Sequence, residues 1–115
     1  MALPKIQSAI PKRRYQFGEF IVTLLGEISS NEDHTYLYIA AVLREGNTTP
    51  EVYITCEPNK TNDTANYRIR VLSEHEEHII SEDSQWKNEQ RFCDFALQGI
   101  KQMFELTDED PILLS

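Results

Sequence analysis

Hydrophobic and polar positions change their period near residue 84 of this chain. From Tyr15 to about Ile80 the apolar residues mostly alternate with polar ones, as in half-buried strands. From Ser84 to Leu106 they recur every three or four residues, as in an amphipathic helix. Strands with an apolar face and a helix with an apolar stripe must cover one another. The pattern therefore predicts an α+β fold: an antiparallel sheet of four to five strands with one C-terminal amphipathic helix packed on one face.

The strand segments follow from parity. Tyr15 to Ile28 places Phe20, Val22 and Leu24 on one side and Ile21, Thr23 and Leu25 on the other, with a bulge or bend expected at Gly18. Thr35 to Arg44 alternates most clearly. Leu37, Ile39, Ala41 and Leu43 are expected toward the helix, and Tyr36, Tyr38, Ala40, Val42 and Arg44 away from it. Glu51 to Glu57 puts Val52, Ile54 and Cys56 inward and Tyr53 and Thr55 outward. Asn66 to Leu72 divides Tyr67, Ile69 and Val71 from Arg68 and Arg70, and Glu77 to Ser81 is a weaker fifth strand. Turn chemistry at 29–33, 45–50 and 58–65 separates them. On the helix, Trp86, Phe92, Cys93, Ala96, Leu97, Ile100, Met103 and Phe104 form the stripe, with Ser84 or Asp83 as its cap. Phe95 and Leu106 lie off that stripe.

With 115 residues the chain has the size of one domain. Charge divides it further. The first 14 residues carry Lys5, Lys12, Arg13 and Arg14 and no acid, so against a total of −8 the remainder carries −12. The expected organisation is a flexible basic N-terminal arm over 1–14, a single α+β domain over 15–106, and an acidic then apolar tail over 107–115. An acidic body repels polyanions, which disfavours nucleic acid and anionic membranes as partners of the body. The opening residues, Met1-Ala2-Leu3-Pro4-Lys5-Ile6, hold no continuous apolar region, and no run approaches a membrane span, so a cytoplasmic location is expected.

Little in the chain suggests catalysis. Cys56 and Cys93 fall on the apolar sides of their elements and read as buried free thiols. His75-Glu76-Glu77-His78 has i,i+3 spacing in a turn and strand, where the zinc-protease pattern needs i,i+4 on a helix. His34 reads as solvated in the first turn. No nucleophile elbow or phosphate-cradling loop is present, and the paired carboxylates lie in turns. No enzyme activity, no metal and no cofactor are expected. The alternative, an enzyme built around Cys56 or the His75/His78 turn, has only those residues to offer.

The expected binding surface is the sheet face away from the helix, where parity gathers Tyr36, Tyr38, Tyr53, Thr55, Arg68 and Arg70. Tyr and Arg supply contact area with a polar handle. Several strands followed by one long helix resemble, by topology alone, the single-strand DNA-binding coactivator and Whirly-type folds, and the pleckstrin-homology type, which has more strands before its helix. The first resemblance implies a curved sheet whose basic and aromatic face reads single strands. The reading adopted is a small cytosolic binding or adaptor module, expected to be a homodimer, contacting a protein partner through the Tyr/Arg face or the helix margin with Phe95. The alternative is single-stranded nucleic-acid binding through the same face and the basic arm.

Overall fold

A computed structural model describes residues 6–30, 35–58 and 67–114. The alternating segments form one antiparallel sheet: β1 (Ile6–Phe17), β2 (Phe20–Ser30), β3 (Tyr38–Arg44), β4 (Val52–Pro58), β5 (Tyr67–Ser73), β6 (Glu77–Asp83) and β7 (Ile112–Leu113). Their order is β6-β5-β4-β3-β2-β1-β7, a meander with the C-terminal tail added beyond β1. The helix, α1 (Glu89–Met103), packs on one face. The α+β class is as expected; among the described residues seven strands replace the expected four to five.

The extra strands have identifiable causes. Phe17 and Phe20 are opposed across a two-residue turn whose first residue, Gly18, has φ 59°. A glycine with positive φ there matches a hairpin to the twist of its strands, so the bend expected at Gly18 is a full chain reversal. From Ile6 onward, the segment expected as a flexible arm over 1–14 is β1, paired along β2. Its register slips between Ile6 and Ser8, Ser8 and Ile10, and Pro11 and Arg13, and each slip breaks the period of two that would have marked a strand. β7 is two residues long, too short for any periodic signal. Of the expected turns at 29–33 and 58–65, Ser29 and Ser30 belong to β2 and Pro58 to β4, and the remaining residues, with His34, lie outside the described residues.

The helical pattern divides at Asn88, which is extended (φ −77°, ψ 122°). Ser84–Lys87 form a 3₁₀ turn capped by the Asp83 side chain on the Gln85 amide; Asn88 caps α1 on the Arg91 amide. At the other end the Leu106 amide donates to the Lys101 carbonyl at 2.8 Å and the Glu105 amide to that of Gln102 at 3.4 Å. This is the paired closure of a Schellman motif, with Glu105 (φ 56°) where glycine is usual. It turns Leu106 back onto the hairpin turn, so that a Cβ added at Gly18 would lie 3.0 Å from Leu106 Cδ2.

Phe92, Cys93, Ala96 and Ile100 are buried between α1 and a sheet face made of Phe20, Val22, Leu24, Ala40, Val42, Val52, Ile54, Cys56 and Ile69. Met103, expected in the stripe, is 40% exposed. The parity expected for β3 is reversed. Ala40 pairs with Ile54 and Val42 with Val52, so Ala40 and Val42 face the helix, while Ile39 and Ala41 face away. Both parities of β3 are apolar, so its sequence cannot say which side is inside; the register with β2 and β4 does.

Candidate functional site

The reversal of β3 splits the expected binding surface. Tyr38 lies on the helix side, opposite Cys56; its hydroxyl donates to the Lys87 carbonyl at 2.9 Å and its ring stacks on Phe92 at 5.5 Å. Tyr36 precedes β3 and is buried. Four of the six expected residues, Tyr53, Thr55, Arg68 and Arg70, do share the face away from α1, because β4 and β5 pair Thr55 with Arg70 and Glu57 with Arg68.

That face is not a free cationic surface. Glu57, 2% exposed, accepts from Thr55 Oγ1 at 2.8 Å, from Arg70 Nε at 2.5 Å and from Arg68 at 3.2 Å. Arg70 also donates to Glu77 at 2.5 Å. Two guanidinium groups thus meet two carboxylates. Burial opposes the charge of Arg70, yet its bonds to Glu77 and Glu57 hold it above the ordinary arginine value. Both arginines are engaged within the sheet, so neither is offered to an incoming phosphate. Tyr53 is half-buried beside them, and that burial raises its phenol.

The histidine turn is equally plain. His75 lies in the bend before β6, and His78 Nε2 lies 3.3 Å from Glu76 with both side chains exposed. Among the described residues no three metal-ligating side chains converge. Cys56 is buried and its thiol is pushed up to about 12 by burial, then by Glu57; Cys93 is buried and raised by the same cause. A thiol held protonated is a poor nucleophile.

A different surface emerges where α1 passes β6. An open groove of about 490 Å³ is lined by Val71, Ile80, Phe95, Gln98, Gly99 and Met103, among others. Phe95 is held there by Trp86, their ring centroids 4.5 Å apart, and the Trp86 indole donates to Ser81 on β6. Ile80 and Met103 are 43% and 40% exposed, and Ile79, on the opposite face of β6, is 52% exposed. β5 and β6 slip register between Ile69 and Arg70, so Ile79 pairs with Arg70 and Ser81 with Ile69. Ile80 is the extra residue of this bulge, and it enters the groove. Among the described residues β6 has a strand neighbour on one side only.

Gly99 is informative. A glycine inside a helix is about 1 kcal/mol less favourable than alanine. A Cβ there would meet no atom within 4 Å, and its φ is not positive, so neither crowding nor backbone conformation requires it. Its consequence is an open groove floor. Of the groove, helical spacing sets only Phe95 off the apolar stripe; Ile80, Gly99 and the exposure of Met103 come from the structure. The adjacent pair Ile79-Ile80 and a glycine in mid-helix were the available signals.

No helix among the described residues is long and apolar enough to cross a membrane. No family model matches this chain, and no curated protein or solved structure is significantly similar to it.

Proposed function

We propose that the chain is a protein-binding module whose contact is the groove between α1 and β6, occupied by an extended segment of a partner. The segment adds a strand to β6 and sets apolar side chains against Ile80, Phe95 and Met103. The observation that carries this reading is the coincidence of a one-sided edge strand with an apolar groove beside it. Main-chain bonds to the edge supply affinity and the groove supplies selection. The Tyr/Arg face supports the reading less well, since Glu57 and Glu77 already occupy Arg68 and Arg70 and Tyr38 packs under the helix. The same facts weigh against single-stranded nucleic acid.

The test is amide and methyl NMR with short extended peptides that alternate apolar and polar residues. Shifts should concentrate on β6, on Ile80 and on Met103, with the β6 amides gaining protection from exchange. Gly99→Leu places a side chain in open space, so it should keep the fold and fill the groove, weakening peptide binding at least tenfold. A peptide that binds elsewhere, or binds Gly99→Leu unchanged, overturns the proposal.

A further inference from the structure

The ends of β6 differ from its middle. Glu74, Glu76 and Glu77 lie at its start and Glu82 and Asp83 at its end, with Ile79 and Ile80 between them. Glu74, Glu76 and Asp83 are exposed, Glu77 keeps its bond to Arg70 and Glu76 lies 3.3 Å from His78, and Asp83 is held below the ordinary carboxylate value by the Gln85 amide, so it remains charged. Glu77 to Asp83 spans about 20 Å of extended chain. A strand added along this edge meets acid, then a short apolar stretch, then acid.

This arrangement discriminates between occupants. A second copy paired antiparallel through its own β6 meets like charge. In either register that seats Ile80 against Ile79 or Ile80 of the second copy, Glu77 falls opposite Glu82 or Asp83. Like charges directly opposite in a sheet are destabilising, and acids at an edge are a familiar guard against self-pairing. The same acids attract a segment of opposite charge.

Resting on the groove as the contact, we infer that the partner presents an extended segment with about four apolar or β-branched residues between basic ones. One parity of its central residues enters the groove over Gly99, and the other covers Ile79. The basic residues sit opposite the two acidic ends of β6.

The experiment compares two nine-residue peptides that share a valine–threonine centre, one with lysines at both ends and one with glutamates. Binding is followed by fluorescence anisotropy and mapped by NMR on the full chain. The lysine peptide should bind at least tenfold more tightly at low ionic strength, and the difference should shrink as salt screens the ends. Glu74→Lys with Glu76→Lys, in an exposed turn, should narrow or reverse the preference while thermal stability is retained. If both peptides shift the groove residues with equal affinity, the charge rule fails and the groove remains the contact. If neither shifts them, the groove itself is wrong. Sedimentation showing a dimer of the chain alone that Gly99→Leu dissolves would assign the groove to a second copy and overturn the inference.

Discussion

Removing the carboxylate of Glu57 would take from Arg68 and Arg70 the acceptor they share and leave the almost fully buried Arg70 with Glu77 alone. Breaking one side of a buried pair is far more damaging than replacing the pair, because the remaining charge is left desolvated. Glu57→Gln should therefore lower stability by about 3 kcal/mol in urea denaturation. Adding Arg70→Met should recover a good part of that loss; a double variant no better than the single would show that the pair is not the cause. Cys56 makes a different prediction. Its thiol loses a proton near 9.0 when unfolded and near 12 when folded. Between those values the folded chain holds more protons, so stability is complete below about 9 and falls as pH rises through that window. Melting temperature should decline above about pH 9, and Cys56→Ala should make the decline shallower. Cys93, Tyr15, Tyr38 and Tyr53, raised chiefly by burial with the same sign, leave a residual slope.

Among the elements, the C-terminus of α1 holds a strained residue, as does β2 at Glu27 (φ 47°). Glu105 occupies the left-handed position that closes the helix, and a residue with a Cβ there is unfavourable by about 1 kcal/mol against glycine. Glu105→Gly should raise stability by about that amount, read as a shift in the urea midpoint. No change would mean that the Leu106 contact, and not the turn, sets the helix end. The β1–β2 hairpin has two unequal halves. Among the described residues β3 pairs with β2 only over Phe20 to Leu25, so the half holding Ile6 to Ile10 is there a two-stranded ribbon beyond the main sheet. Ile10 is 49% exposed, and an isolated two-stranded ribbon contributes little. Deleting residues 1–10 should cost about 1 kcal/mol or less, visible as a melting shift of a few degrees. A larger fall would show that the ribbon braces the sheet.

At the scale of the molecule, among the described residues one helix covers one face of a seven-stranded sheet, and the other face is stabilised by its own ion pairs. That division supports the proposed contact at the β6 edge over the expected face. The class of fold was legible in the chain, because a period of two followed by one of 3.6 leaves few ways to bury both sets of apolar residues. So were β4 and β5, where Val52, Ile54, Cys56 and Ile69 alternate with polar residues and only one parity suits a core. The burial of Phe92, Ala96 and Ile100 was equally legible from their helical spacing. What the chain did not carry was any choice between two acceptable answers. β3 is apolar on both parities, so its register with β2 and β4 decided that Tyr38 lies under the helix. β1 is broken by slips, so pairing with β2 made it a strand. Arg68 and Arg70 read as free cations until folding set Glu57 and Glu77 against them. Local pattern specifies which residues want burial, but pairing across strands decides which neighbours they meet, and a binding surface is made of neighbours.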